Sequence, residues 1–253
     1  MARTSAAGDP ARSLGLLWGP HTRPGRSGLT VAAIVAAATA LADAEGLGAV
    51  SMRRVAERLG VGAMSLYTHV VSHADLVQVM VDTAAGTVYA DVDEPSRAPG
   101  GWRGALEFVA RRNWELYQRH PWLLDVAGAR PVLGPHTSLK YEAELRPLDG
   151  VGLTDVEMDS VLTLVLGHVD GTARALAGVT RTREETGMTD EEWWRAYGPA
   201  LSTVMDPARF PVAGRVGSAS SQQYNAAQDP VHALDFGLRC ILDGVAALIA
   251  GRP

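Results

Sequence analysis

The 253-residue sequence predicts an all-α protein, with a three-helix amino-terminal head joined to a larger helical body. Three observations predict it. Apolar residues recur at three- and four-residue spacing from Thr30 to Ala250, with no alternating run of strand length. Capping residues and glycines punctuate those periods where helices should start and stop. Between Thr30 and His73, three short helical periods follow one another with almost no chain between them.

Thr30 can cap the first helix, which carries Val31, Ile34, Val35, Ala38 and Leu41 on one face and stops at Gly46. Ser51 caps the second, with Val55 and Leu59 pointing inward, and Gly60 makes the turn. The third is short, residues 63–70, and turns Leu66 and Val70 to the core. Ser72 with Asp75 forms a capping box for a connecting helix over 73–90, carrying Leu76, Val77, Met80, Ala84, Val88 and Tyr89. Residues 91–101 read as a linker, 102–119 as a helix ended by His120-Pro121, and 122–134 as a short helix and a Gly/Pro loop. A helix over 135–145 follows. Thr154 with Glu157 opens an apolar helix over 155–177, and Thr189 with Glu192 opens another containing Trp193, Trp194 and Tyr197. Residues 206–228 read as irregular, and a last apolar helix spans 229–250. The expected domains are a flexible basic arm (1–28), the head (29–75) and the body (91–253).

Charge divides the chain unevenly. Residues 1–70 carry seven arginines and four acids, whereas the remainder carries sixteen basic and twenty-four acidic residues. A basic head on an acidic body points to polyanion contact at one end. With one cysteine, Cys240, no internal disulfide can form. No apolar run reaches the ~18 residues of a bilayer span, and the start lacks the order of a secretory signal. A cytoplasmic protein without a membrane partner is expected. No Cys/His metal spacing, phosphate-cradling glycine loop or nucleophile–base pair is present, so no catalytic residue, metal or cofactor is assigned.

A capped helix, a glycine turn and a short second helix form the layout of a helix-turn-helix, whose second helix enters the major groove of DNA. Candidates for base contact on that helix are Met64, Ser65, Tyr67 and Thr68. Arg53 and Arg54 lie where the preceding helix crosses the phosphates, beside the capping Ser51. His73 sits at the positive end of the connecting helix, where a phosphate fits. Arg23 and Arg26, next to the head, are candidates for minor-groove contact by the arm. Blander readings stay open: Arg53, Arg54 and Arg58 as a solvated face, Tyr67 as a cover for the core, His69 as a packing residue.

The run SMRRVAERLGVGAMSLYTHV followed by ADLV resembles the operator-binding domain of the TetR family of repressors, over residues 29–76. The resemblance implies an all-α homodimer that binds a palindromic operator and is released by a small molecule held in the carboxy-terminal domain. By matching position, Arg53, Ser65, Tyr67, Thr68 and His73 take the operator-contact role. Many relatives carry Lys where this chain has His73, which implies a weaker, pH-dependent phosphate contact. Over residues 100–176 the segments GWRGALEFVARRN, ARPVLGP, KYEAEL and LGHVDG follow the order of a tetracycline-repressor-type body. That type holds drug-bound magnesium with a His before its Gly-x-Arg-Pro turn; Ala127 stands there, and Leu176 near the acidic position, so a magnesium–tetracycline effector is not expected.

An effector, an antibiotic or a metabolite, should lie among Tyr89, Val109, Asn113, Thr163 and Gly167, with Trp122, His168 and Asp170 nearby. His168 reads alternatively as a satisfied core group with Asp170 as its partner. One of Trp193 and Trp194 must face outward and suits an interface. Helices 155–177 and 229–250 are the dimer candidates, since Gly167 and Gly171, four apart, allow close approach in a four-helix bundle on a two-fold axis. The competing reading buries both within one subunit. The functional expectation is a ligand-responsive repressor whose 73–90 helix acts as a lever between effector and DNA. The alternatives are an activator or global regulator without effector, or an all-α enzyme.

Overall fold

The computed structural model describes residues 10–23, 28–126, 130–226 and 228–251, and no strand forms among them. The chain divides into two compact units, Met1–Thr163 and Leu164–Pro253. This division falls later than the sequence boundary at 91, so the helices after the linker group with the head.

The first unit begins with α1 (Pro10–Leu17), inside the stretch read as a flexible arm. Leu17 is buried in the head's core, and the Ser13 hydroxyl lies 3.5 Å from Asp75 Oδ1. Leu17, with Leu16 packed against the same core, outweighs the segment's Gly/Pro/Ser composition, because burying them against the head repays the ordering of two turns. Then follow α2 (Val31–Glu45), α3 (Met52–Leu59), α4 (Ala63–Tyr67) and α5 (His73–Ala85). Their caps form as the sequence requires. Thr30 accepts from the Ala33 amide, Ser51 from that of Arg54 and Ser72 from that of Asp75. Gly60 closes α3 in the left-handed region, φ 68°. Ile34, Ala38, Val55, Leu66, Val70, Leu76, Val79 and Met80 make the core of this head.

α5 stops at Ala85, five residues short of the expected 90. The amide of Gly86 turns back to Asp82 O, and the Thr87 hydroxyl donates to Ala84 O. The His136 ring also lies against Gly86, where a Cβ would sit 2.7 Å from its Cδ2. Tyr89 therefore hangs from a turn. α4 likewise ends early, at Tyr67, because the amides of His69 and Val70 both turn to Leu66 O. The 91–101 segment is not featureless either, since it contains a 3₁₀ turn (Pro95–Arg97) pinned by an Arg97–Asp91 ion pair. α6 (Gly101–Arg119) and α7 (Pro135–Leu145) complete the unit, with a 3₁₀ turn at Pro121–Asp125.

α8 (Asp155–Thr186) runs nine residues beyond its apolar period, through an exposed polar stretch that stops at Gly187, φ 66°. In the second unit it is joined by α9 (Asp190–Val204), α10 (Pro211–Tyr224) and α11 (Pro230–Ala250). α10 occupies the stretch read as irregular. Pro211 starts it and Asn225, φ 51°, ends it, but it buries no residue, so no apolar period marked it. Leu234, Leu238, Leu242 and Val245 of α11 are buried, as are Val165, Val169 and Ala173 of α8. The two helices meet where His168 Nε2 lies 3.1 Å from Leu234 O. A Cβ on Gly237 would stand 2.3 Å from His168 Cε1. Gly237→Ala is therefore expected to cost about 1–3 kcal/mol in denaturant unfolding, as overpacking does. An unchanged midpoint would mean that His168 moves aside freely. No helix among the described residues is long and apolar enough to cross a membrane.

Candidate functional site

The head presents one polar face built from α3, α4 and the start of α5. On α4, Leu66 is buried completely, whereas Met64 is 77% and Tyr67 42% exposed. Thr68 is exposed and Ser65 half-buried; the Thr68 hydroxyl donates to Ser65 O at 2.7 Å, which leaves its lone pairs as acceptors. One turn of helix thus anchors itself with a leucine and offers a thioether, a phenol and hydroxyls outward. Arg53, 86% exposed, pairs with Glu57 at 2.8 Å. Such an exposed pair is weak and readily exchanges its carboxylate for a phosphate. Arg54 differs. It bonds Glu45 at 2.7 Å and Ala49 O at 3.4 Å, tying α3 to the end of α2, and its hydrogen bond holds the Glu45 carboxyl below its ordinary range. Ser51 spends its hydroxyl oxygen on the α3 cap. His73 and Arg23 are exposed, His69 is half-buried, and Arg26 falls outside the described residues.

A second polar cluster is buried. Glu144 of α7 is 1% exposed, and its Oε1 accepts from the Tyr89 hydroxyl (2.9 Å), the Asn113 amide (2.7 Å) and Lys140 Nζ (2.7 Å). Lys140 is the sole lysine of the sequence. Burial, with the Glu144 carboxylate next, pushes the Tyr89 phenol far above its ordinary range, so it remains a donor. Val109, fully buried, supplies its carbonyl to Asn113. A cavity of about 180 Å³ lies against this cluster, lined by Tyr89, His136, Lys140 and Ala143.

Two further carboxylates, Asp82 buried and Asp43 exposed, tie the head's helices to later segments. Asp82 of α5 is wholly buried and accepts from the Thr137 amide (2.9 Å) and from His136 Nδ1 (2.9 Å). Asp43 of α2 accepts from Trp122 Nε1 (2.8 Å) and His120 Nδ1 (2.7 Å).

The expected effector residues do not all meet. Tyr89, Val109 and Asn113 come together. Trp122 does not join them: it is 1% exposed in the head's core, held there by Asp43. Thr163 and Gly167 lie exposed on α8. His168 bonds Leu234 O, and Asp170 pairs with Arg174 at 2.7 Å, not with His168, because a carboxylate two positions along a helix faces away from the imidazole. Ala127 lies outside the described residues, and Leu176 is half-buried. Glu144, Asp82, Asp43 and His136 were missed. The one signal for them was the four-residue spacing of Lys140 and Glu144.

Residues 34–80 match the family described as "Bacterial regulatory proteins, tetR family", and residues 94–249 match "Tetracyclin repressor-like, C-terminal domain". The chain belongs to the TetR family. As a TetR-family member it is a helix-turn-helix DNA-binding regulator and not an enzyme. It is 42% identical over 257 residues to the HTH-type transcriptional repressor DrrR1 of Streptomyces coeruleorubidus, covering 98% of this chain and 90% of that one. Among solved TetR-family structures it is similar to ActR of Streptomyces coelicolor in complex with actinorhodin, with a TM-score of 0.70 and 28% identity, over 88% of this chain and 99% of that one. Apo ActR gives a TM-score of 0.68 at 25% identity, over 88% and 97% of the two chains.

Proposed function

We propose that this TetR-family protein is a transcriptional repressor. It binds a palindromic operator as a homodimer in the cytoplasm and releases it when a small molecule occupies the region of Tyr89, Asn113 and Glu144. The observation that carries the reading is α4, which buries Leu66 while presenting Met64, Tyr67 and Thr68. In the major groove Met64 meets a thymine methyl, the hydroxyls meet base edges, and Arg53 and His73 hold phosphates. The relative named as a repressor supports the sign of regulation, and ActR's structure with actinorhodin supports a small-molecule effector. Tyr89 follows α5, Asn113 lies on α6 and Glu144 on α7, so a ligand that regroups these three side chains shifts the helix carrying His73. It needs only different affinities for the two arrangements.

The test is a band shift with the DNA upstream of the gene. One dyad should be protected, with half-sites about one turn, 34–36 Å, apart. Affinity should fall linearly on a log–log plot against salt, with a slope near −0.9 per phosphate neutralised. Binding indifferent to salt would overturn the phosphate contacts.

The second unit supplies the partner surface in this proposal. Leu164 of α8 and Phe236 of α11 are 53% and 55% exposed, and open space surrounds the would-be Cβ positions of Gly167 and Gly171. Two such faces meeting about a two-fold axis form a helical bundle. Introducing Leu164→Glu with Phe236→Glu is expected to leave a folded monomer in light scattering and to weaken operator binding by more than about 100-fold, since each head then binds alone. A dimer that persists would place the interface elsewhere.

A further inference from the structure

A cavity of about 600 Å³ opens between α1, the first half of α5 and residues 126 and 130–133, away from Glu144. This volume falls within the ~300–1,000 Å³ of small-molecule sites. Its walls include Leu14, Leu17, Val77 and Val132. Two nitrogen-bearing side chains line it as well, the His73 imidazole at the start of α5 and the Arg130 guanidinium. Neither has a hydrogen bond or ion pair among the described residues. The closest acid in sequence, Asp75, is engaged, accepting from the Ser72 hydroxyl at 2.8 Å and facing Ser13 at 3.5 Å. Trp18, just past α1, donates its indole N–H to Leu133 O at 3.0 Å and ties the two sides of the cavity together.

Apolar walls ending in a guanidinium and an imidazole donor, neither paired among the described residues, fit one ligand chemistry. We propose that this cavity is a second ligand site that takes a monocarboxylate with an apolar body. The carboxylate sits between His73 and Arg130, where a guanidinium and the positive end of α5 both favour an anion. The apolar body lies along Leu14, Leu17 and Val77. The consequence for DNA rests on the operator reading above: an anion held at His73 competes with the operator phosphate for the same imidazole, so an occupied cavity weakens DNA binding.

The test is isothermal titration of the full-length protein with octanoate, with 1-octanol as the uncharged control, followed by operator titration with octanoate present. One octanoate should bind per chain, about tenfold or more tighter than octanol, the range of a charge-assisted contact. Arg130→Ala, at an exposed position, should lose about tenfold, and Val77→Trp, which fills the cavity, should abolish binding. Circular dichroism checks that Val77→Trp folds; if it does not, Arg130→Ala alone decides. Absent binding, or binding undiminished in the folded variants, overturns the site. Operator affinity unmoved by saturating octanoate overturns the competition at His73. Failure of the operator reading itself would appear as absent DNA binding without any ligand, and the octanoate titration would still decide the site.

Discussion

Tyr67→Ala is expected to lower operator affinity by about 30-fold or more while leaving the thermal midpoint nearly unchanged. Each contact from a recognition helix is worth about 1–3 kcal/mol. A dimer loses it twice, so the loss is about 2–6 kcal/mol, and 2 kcal/mol already corresponds to about 30-fold. Tyr67 is 42% exposed, so removing its ring opens no cavity. The neighbouring position behaves in the opposite way. Leu66 is fully buried, and Leu66→Ala is expected to cost about 2–5 kcal/mol of stability, losing DNA binding only through unfolding. Fluorescence anisotropy with a labelled operator, run beside thermal melts, separates the two effects. A Tyr67→Ala protein that melts early but binds normally when folded would assign the ring to the core.

Asp82→Ala should lower stability by about 3–5 kcal/mol, which for a chain of this size lowers the midpoint by on the order of 10 °C. The carboxylate is wholly buried on α5 and caps the α7 amide of Thr137, while holding the His136 imidazole. Removing it leaves the half-buried Thr137 N–H without this acceptor and opens a hole beside Gly134, whose would-be Cβ stands 2.1 Å from Asp82 Oδ1. Asp82→Asn keeps an acceptor for Thr137 and should cost markedly less. Because the same contact joins the lever helix to the helix carrying Glu144, Asp82→Asn should also reduce the response of operator binding to effector. Equal stability of Asp82→Ala and wild type in urea would remove both expectations.

The head was legible because its signals are local. Thr30, Ser51 and Ser72 cap the helices they precede, Gly60 takes the left-handed turn, and Leu66 with Val70 has a helical period. The ties made by Asp82 and Asp43 were not legible because their partners are distant in sequence. α7 starts at Pro135 without a capping side chain of its own, and Asp82, 55 residues earlier than Thr137, supplies the cap. Asp43 and Trp122 are likewise 79 residues apart. The Glu144 cluster was half legible as a meeting of side chains. Tyr89 and Asn113 are inward candidates by position, while the residue that binds them together, Glu144, reads as one more acid on a polar helix. α1 and α10 form in stretches whose composition reads as flexible or irregular. Small and flexible residues permit a helix when Leu17 finds a core, or when Pro211 and Asn225 fix both ends.

The central claim is that α4 lies in the major groove, and the most direct measurement is photocrosslinking from position 67. A benzophenone amino acid placed there, in the dimer bound to its operator, should crosslink to major-groove bases at two points of the duplex, one per half-site and about one helical turn apart. Crosslinks from position 67 to protein alone, while the same complex retains its footprint, would contradict it.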